Sequence, residues 1–400
     1  MRRHDALARA LAEAPVPEAE AAARRARAVV LETFGRHEPV PPRQRRSTLR
    51  LSLGAACAVL LVGVAVASPG ATTIGHYVRD AVRHDVVRTR TVPVAPLRLP
   101  GGGGLLVRSR GSLFVVHANG SHLPLGPYRD ASWSPHGRFV VVTAGAHLVV
   151  RDPRSGEARW SITAASDVSG ARWSLEPTVP PCCRIAYLTG DGELHVIAGD
   201  GTGDHVLAPA DLHVPSAWRP GSRDRALAYV TPAGDVRVVS ADDGRVLGRI
   251  VLGFRPSQLA WSSDGTRLLV RSARRLEVLG AGDRSVVRVL HARFAGRFAS
   301  AAFVARSHAV VVLHRLGAGR SQVELVPARG PARSLALLVG TLSGLAPSPD
   351  GRSVLVGWGA ADEWLLVPTS GNGTTRRITG LGRALGSSPI PLDDAWHSTR

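Results

Sequence analysis

The chain has 400 residues and a formal net charge of +19, and it contains no lysine, so its fifty strongly basic side chains are all arginine. The absence of lysine excludes a P-loop, whose lysine contacts the nucleotide phosphates. The arginines are scattered and are not interleaved with aromatic residues, which argues against a nucleic-acid-binding module. Two explanations of the charge stay open: a compositional preference for arginine, or attraction to acidic partners such as anionic lipid head groups or wall polymers.

The first fifty residues predict a cytoplasmic helical segment. Residues 5–13 and 18–34 have helical spacing of apolar side chains, and Pro15 and Pro17 separate the two stretches. The segment is too short and too poor in large apolar side chains to build its own core. It is either a solvated stem or a docking element for a cytoplasmic partner.

Residues 51–68 predict a transmembrane helix, because they form an uncharged apolar run. At about 1.5 Å per residue the run is close to the roughly 30 Å hydrocarbon core of a bilayer. Arginines precede the run and none follows it before Arg79, so the positive-inside rule places the N-terminus in the cytoplasm. Two alternatives remain, a cleaved signal ending near Ala65-Val-Ala67 and a buried core helix.

Residues 69–104 predict a connection between this anchor and a folded domain. Apolar residues between Ile74 and Val86 recur at helical spacing and indicate a short amphipathic helix beside the membrane. A proline-rich strip over residues 91–100 and four glycines, residues 101–104, form a linker. The domain that follows, residues 105–400, would therefore lie outside the cytoplasm.

One short phrase recurs from Trp133 onward: an aromatic residue, a tight turn and a strand-like run. The clearest copies are Trp133-Ser-Pro-His-Gly-Arg138, Trp261-Ser-Ser-Asp-Gly-Thr-Arg267 and Pro347-Ser-Pro-Asp-Gly-Arg352, with weaker copies at Trp173, Trp218 and Phe303 and a last aromatic residue, Trp396. The anchors recur about every 40–45 residues, which is the period of β-propeller blades. In the module of Trp133, four short strand patterns joined by turns predict one four-stranded antiparallel blade.

The two ends of the repeat region predict how the ring closes. Three strand patterns, residues 105–108, 113–117 and 121–125, precede Trp133 without an inner strand. After the sixth full module, residues 394–397 form one inner strand without the other three. Together they would complete a seventh blade and leave no open sheet edge. The predicted fold is all-β: a seven-bladed propeller of four-stranded antiparallel blades, closed by N- and C-terminal strands and preceded by the transmembrane helix.

The aromatic-turn-strand phrase resembles that of the TolB-like, WD-repeat-like bacterial propellers over about residues 105–397. Trp133, Ser134, Pro135 and Gly137 carry the resemblance best, together with the equivalent residues after Trp261 and Pro347. Some modules depart from it: the one at Trp173 lacks the turn glycine, the one at Phe303 lacks the turn, and Pro347 replaces the aromatic residue. The resemblance implies a protein- or ligand-binding platform without naming a partner.

The anchor aromatic residues are predicted to be blade-structural, filling the space between neighbouring blades. These residues are Trp133, Trp173, Trp218, Trp261, Phe303 and Trp396. The sequence has no G-x-S-x-G or H-E-x-x-H motif and no zinc-ligand spacing, so no catalytic, cofactor-binding or metal-binding residue is predicted. A catalytic pair assembled from different blades stays open.

Cys182 and Cys183 are adjacent and follow an unusually long loop between the first and second strands of their module. Neighbouring Cα atoms lie about 3.8 Å apart, below the usual disulfide range, so a vicinal disulfide would be strained and rigid. Outside the cytoplasm such a bond is plausible chemistry. Inert cysteines, a vicinal disulfide that stiffens a contact loop, and a redox or metal role are the alternatives.

The sequence as a whole predicts a single-pass, membrane-anchored, extracytoplasmic propeller that acts as a non-catalytic binding platform in the bacterial cell envelope. Its expected partners are an envelope protein or ligand, the membrane through residues 51–68, and a possible cytoplasmic partner of residues 1–50; no nucleic acid and no cofactor is expected. Two alternatives remain. One is a signalling protein of anti-sigma-like topology with a propeller sensor, and the other is a propeller hydrolase or lyase with its active site at the channel mouth.

Overall fold

A computed structural model describes residues 97–174, 183–282, 286–292, 296–317, 319–371 and 373–397, without the side chains of residues 394 and 395. The predicted cytoplasmic segment, transmembrane helix and juxtamembrane helix lie outside these residues. Within the described residues, no helix is both long enough and apolar enough to cross a membrane.

The described strands form seven four-stranded antiparallel sheets, the blades of a propeller, so the predicted all-β, seven-bladed propeller is confirmed. The chain begins with the three outer strands of blade VII: β1 (Gly104–Ser109), β2 (Ser112–His117) and β3 (His122–Gly126). Blade I follows: β4 (Asp130–Trp133), β5 (Val140–Ala144), β6 (His147–Arg151) and β7 (Ala158–Thr163). Blade II contains β8 (Val168–Trp173), β9 (Arg184–Thr189), β10 (Glu193–Ala198) and β11 (His205–Pro209).

Blades III to VI repeat this order from an inner to an outer strand. Blade III contains β12 (Ala217–Trp218), β13 (Ala226–Val230), β14 (Val236–Ser240) and β15 (Val246–Ile250). Blade IV contains β16 (Gln258–Trp261), β17 (Arg267–Arg271), β18 (Arg275–Gly280) and β19 (Val286–His291). Blade V contains β20 (Arg297–Phe303), β21 (Val310–Leu316), β22 (Arg320–Val326) and β23 (Arg333–Val339).

Blade VI completes the full modules and leads into the closing strand. It contains β24 (Ser343–Pro347), β25 (Ser353–Trp358), β26 (Glu363–Pro368) and β27 (Arg376–Thr379), with a 3₁₀ turn at Gly359–Ala361. The helix α1 (Leu381–Leu385) and the closing strand β28 (Ile390–His397) follow.

The second strand of a blade is buried on both faces because neighbouring blades cover it. All five residues of β13, Ala-Leu-Ala-Tyr-Val, are buried, and this accounts for its continuous apolar sequence. The outer strand β7 shows the opposite pattern, with no buried residue. Seven apolar clusters hold the ring together, and each joins two consecutive blades.

The repeated turn is held by a buried serine and a glycine. Ser262 Oγ accepts the N–H of Arg267 at 2.9 Å, and Gly265 N–H donates to the Ser262 carbonyl at 2.8 Å. Gly265 has a φ of +67°, and a Cβ there would lie 2.3 Å from the carbonyl oxygen of Pro220 in the preceding blade. Glycine is therefore favoured here for two reasons: the backbone is left-handed, and a side chain would clash with the preceding blade.

The expectation that the Phe303 module lacks this turn is wrong. Val304 N–H donates to Ala309 O at 2.8 Å and Ser307 N–H donates to Val304 O at 3.1 Å, so a turn forms without glycine. Arg306 supplies the left-handed residue, with a φ of +59°. Arg306 is the third residue of the turn formed by residues 304–307. In a type II turn this position is left-handed and usually carries glycine or asparagine.

The ring closes where the sequence predicts. β28 pairs with β1, with Leu105 opposite Trp396 and Arg108 opposite Ile390. Trp396 Nε1 donates to Gly102 O at 2.9 Å, and His397 Nε2 donates to Pro135 O at 3.0 Å in blade I. The two ends of the domain therefore share one sheet, and β28 is its innermost strand.

Candidate functional site

Polar side chains from several blades converge on the axis of the ring. Asp393 lies in the closing strand β28, and its Oδ1 accepts the N–H of Leu345 in blade VI at 2.8 Å. Asp393 is also within electrostatic reach of Ser300 in blade V and Arg271 in blade IV. Residues of non-adjacent blades can approach one another in this way only at the central channel. The cluster of Asp393, Ser300, Arg271 and Gln258 is called the axial cluster below.

Arg271 is fixed within blades IV and V by hydrogen bonds. Its Nε donates to Gln258 Oε1 at 2.7 Å, and its Nη1 donates to Phe298 O at 2.9 Å. Gln258 in turn donates from Nε2 to Ala301 O at 2.7 Å. The guanidinium is therefore buried with its orientation determined by the inner strands β16 and β20.

Burial shifts the titration of both charged members of the axial cluster. Desolvation raises the pKa of Asp393 above its ordinary value, although Ser300, the Leu345 N–H and Arg271 oppose the rise. Ser300 Oγ lies near the carboxyl without reaching hydrogen-bond geometry. Asp393 nevertheless remains exposed to solvent. Burial also lowers the pKa of Arg271, against the opposing effect of Asp393.

The inner strands of blades I and II carry a second pair of unlike charges. Arg172 Nη1 donates to Asp130 Oδ2 at 2.8 Å and also to Ala171 O at 2.8 Å. Asp130 is the first residue of β4 and Arg172 lies in β8, so the pair joins neighbouring inner strands. The inner strands therefore present hydrogen-bond donors and acceptors on two sides of the ring.

The connection before β28 lies at the end of the ring where the inner strands begin. Trp364 Nε1 donates to Pro389 O at 2.8 Å and Ser109 Oγ donates to Ser387 O at 3.0 Å, which fixes this loop on blades VI and VII. The helix α1 buries Leu381 and Leu385 in the apolar cluster between the same blades. The sequence did not predict α1, whose five residues are too few for a periodic pattern.

A different polar cluster lies in blade II. Tyr187 is buried and donates its hydroxyl to Asp204 Oδ2 at 2.8 Å, while the His195 ring stacks on it at 5.0 Å between centroids. Burial, the hydrogen bond to Asp204 and its negative charge raise the pKa of Tyr187 far above the ordinary value. The phenol therefore stays protonated and acts as a hydrogen-bond donor that ties β9 to the loop before β11.

The structure places the anchor aromatic residues between blades. Each lies at the end of an inner strand or in β28, within the apolar cluster of one interface; these residues are Trp133, Trp173, Trp218, Trp261, Phe303 and Trp396. Trp218 and Trp261 each donate an indole N–H to a carbonyl of the preceding blade, Arg172 O at 2.9 Å and Ala217 O at 3.1 Å. None of them belongs to the axial cluster.

Cys183 is half-buried beside the interface of blades I and II, and its carbonyl accepts the Gly199 N–H at 2.7 Å. Its φ of +75° is left-handed, which is unusual for a residue other than glycine. Cys182 lies outside the described residues, so the vicinal disulfide stays a prediction. In the described part of the chain, no group of three or more His, Cys, Asp or Glu residues is arranged to hold a metal ion.

Sequence reasoning did not find the axial cluster. Asp393, Ser300 and Arg271 come from three different blades, and no spacing rule connects them. One signal was present: Asp394 is the first residue of the strand predicted to close the ring, and Asp393 directly precedes it. An acidic residue at the axis of the ring needs a basic partner or acquires a raised pKa, and either property marks a candidate functional site.

Comparison with known proteins establishes the fold. No protein-family model matches the chain, and no curated protein matches it. A chain of a mitotic checkpoint complex superposes with a TM-score of 0.53 and 15% identity, covering 70% of this chain and 93% of its own. The dihydro-heme d1 dehydrogenase NirN superposes with a TM-score of 0.51 and 18% identity, covering 76% of this chain and 67% of its own. At this identity the likeness shows a shared propeller architecture, in one protein of a complex and in one enzyme.

Proposed function

We propose that this chain is a membrane-anchored, TolB-like propeller of the bacterial cell envelope that binds a partner or ligand through its channel mouth without transforming it. The observation that carries the proposal is the axial cluster. A carboxyl with a raised pKa from blade VII, a hydroxyl from blade V, and a fixed guanidinium and an amide from blade IV meet there. Convergent polar groups in a concave site are what a specific binding site requires.

The chemistry of the cluster suits a polar ligand group. Asp393 in its protonated form both donates and accepts hydrogen bonds, and Arg271 supplies a positive charge held by Gln258. Because these groups are already positioned by the inner strands, a ligand would not have to order them on binding.

The location in the envelope rests on the sequence alone. The apolar run of residues 51–68 and the arginines before it support an anchor with the propeller outside the cytoplasm. The test is protease treatment of spheroplasts that express the full chain with an N-terminal epitope. We expect digestion of the propeller and protection of the epitope; protection of the whole chain, or its release by a salt wash, would refute this topology.

Binding at the mouth is testable by photocrosslinking in cells. A photoreactive phenylalanine replaces Arg297, the exposed first residue of the inner strand β20. Its matched control replaces Ser263, an exposed turn residue at the opposite end of the ring. We expect a defined adduct at position 297 only, lost in an Asp393→Ala background. Equal adducts at both positions, or an adduct insensitive to Asp393, would remove the mouth as the binding site.

One observation favours a second candidate, a propeller hydrolase or lyase. A carboxyl with a raised pKa is suited to general acid catalysis, and Asp393 has this property. Turnover of an ester, lactone, glycoside or peptide by the full chain, abolished by Asp393→Asn, would replace the binding proposal. Absence of turnover together with the Asp393-dependent adduct supports binding.

A further inference from the structure

A groove of about 650 Å³ opens between blades IV and V. It lies at the end of the ring where the inner strands finish, and no residue of the axial cluster lines it. Its lining combines valines with basic side chains: Arg267, Val278, Val287, Arg288, His308, Val310, Val326, Pro327, Ala328 and Arg329. A cavity of this size lies within the range of binding sites for small molecules and peptide side chains.

The same groove one blade earlier is almost closed. Between blades III and IV the cavity measures about 50 Å³, and its lining includes Val238, Gly248 and Leu268. The strand registers make Val238 and Gly248 the counterparts of Val278 and Arg288, since each pair lies opposite in its own blade. The nearly closed groove between blades III and IV can therefore be compared, position by position, with the open groove between blades IV and V.

The difference in volume follows from two side chains. In the closed groove the Arg219 guanidinium lies 5.4 Å from the Trp261 ring centroid, and its Nε donates to Gly265 O at 2.8 Å. The positions of Arg219 and Trp261 are taken by Ser262 and Phe303 in the next module. Both replacements are smaller, so the groove between blades IV and V stays open.

The open groove is strongly basic. Arg288 donates to Gly330 O, and Arg267 and Arg329 form no side-chain ion pair within the part of the chain that the structure describes. The groove residue His308 contacts Asp264 at 2.7 Å, and this carboxylate also accepts from Ser262 and Thr266. The groove therefore carries three guanidiniums, and Asp264 already has hydrogen-bond partners other than these.

The groove continues into an unpaired strand edge. β19 is the outermost strand of blade IV, so within the described sheet its outer backbone groups have no neighbouring strand. Val286, Val287 and Val289 on this strand are exposed, by 53%, 38% and 40%. Outer strands are usually protected by charged residues, as β27 is by Arg376, and an apolar edge invites pairing with another chain.

We propose that this groove binds an acidic, extended segment of a partner protein, which adds a strand to the edge of β19. The backbone of the segment would pair with β19, its apolar side chains would contact the exposed valines, and its carboxylates would reach Arg267, Arg288 and Arg329. The proposal does not depend on the axial cluster, which contributes no residue to the groove. Guanidiniums in a partly apolar groove favour carboxylates because they can donate two parallel hydrogen bonds.

The probe is a fluorescein-labelled peptide of four Val-Glu repeats, titrated with the full-length protein in detergent and followed by anisotropy. We expect saturable binding that weakens as salt increases, because the contacts are ionic. A peptide of Val-Lys repeats should not bind. A Val-Glu peptide methylated on alternate backbone nitrogens should lose binding, because it cannot pair with a strand edge. Equal binding of the methylated peptide, or full displacement by millimolar inorganic phosphate, would overturn the proposal.

Variants locate the site. Charge reversal in Arg329→Glu, an exposed turn residue, should weaken binding about tenfold or more, because an attractive contact becomes repulsive. The matched control is Arg376→Glu, which makes the same change on the exposed outer strand of blade VI and should alter affinity less than about twofold. Unchanged melting curves establish that both variants fold. Equal effects of the two substitutions would show charge-driven surface binding and contradict the groove, whereas Asp393→Ala should leave peptide binding unchanged.

Discussion

One buried hydroxyl organises each well-formed turn of the repeat. Ser262 is fully buried; its Oγ accepts the Arg267 N–H at 2.9 Å and donates to Asp264 Oδ1 at 2.6 Å. Ser348 makes the same two contacts in blade VI, with Ser353 and Asp350. The serine of the phrase is therefore a structural acceptor for the first N–H of the second strand.

Replacing Ser262 by alanine should leave the Arg267 N–H without its acceptor in a buried site. We expect a loss of about 1–3 kcal/mol in the free energy of unfolding. Ser263, the next residue, is exposed, and Ser263→Ala should change stability by less than about 0.5 kcal/mol. Denaturant melts of the two variants measure the difference; equal stability would show that the turn does not need the hydroxyl.

The pKa of Asp393 gives stability a definite dependence on pH. Since burial raises its pKa above 3.8, the folded state holds the proton more tightly than the unfolded state. The favourable contribution of Asp393 to the free energy of unfolding is present at acid pH. It is lost as the pH rises through the pKa that Asp393 has in the folded state. Asn in place of Asp keeps an acceptor for the Leu345 N–H but removes the titration.

We therefore expect the melting temperature of Asp393→Asn, relative to that of the native chain, to increase as the pH rises from about 4 to 7. Thermal melts followed by circular dichroism at several pH values measure the difference. A difference that stays constant would mean that Asp393 titrates like a solvated carboxylate, and one that decreases would mean that folding lowers its pKa.

At the scale of elements, the turn of the Phe303 module shows where a sequence rule fails. Without glycine the phrase predicts no turn, yet strand pairing between β20 and β21 brings Phe303 opposite Val310 and forces the chain to reverse between them. Arg306 adopts the left-handed backbone instead. Long-range pairing therefore outweighs the local preference, and a local pattern could not have revealed this.

Arg306→Gly should relieve this left-handed strain. The gain, about 1 kcal/mol from the backbone, is partly offset by the higher entropy of glycine in the unfolded chain, so we expect a net stabilisation of about 0.5 kcal/mol. Arg352 follows the turn glycine of blade VI without a positive φ, and Arg352→Gly should destabilise the protein. Chemical denaturation of both variants checks the opposite signs; destabilisation by Arg306→Gly would contradict the assigned conformation.

The strands of the blades could be predicted from the sequence, whereas the axial cluster and the groove between blades IV and V could not. Strands β1, β2 and β3 lie within one residue at each end of the predicted ranges 105–108, 113–117 and 121–125, because apolar runs between turn residues identify them locally. The axial cluster depends on which inner strands face one another across the ring. The groove between blades IV and V depends on the size difference between Arg219 and Ser262 at one repeat position, a contrast that has meaning only once the blades are stacked.

At the scale of the whole molecule, ring closure determines where the sites can be. β28 supplies Asp393 to the axis, and the same strand joins blade VII to blade VI through Trp396 and its apolar cluster. The proposed mouth and the proposed peptide groove lie at opposite ends of this ring. A platform of this form could engage two different partners at once.

The melting temperature of a chain lacking residues 392–400 tests the closed ring most directly. This deletion removes Trp396 and most of the strand that pairs with β1, whereas a control deletion of residues 398–400 leaves β28 complete. We expect the control to melt like the full chain and the longer deletion to melt at least about 10 °C lower, since loss of one buried tryptophan costs about 3–5 kcal/mol. Identical melting curves for the two deletions would contradict closure of the ring by its two ends.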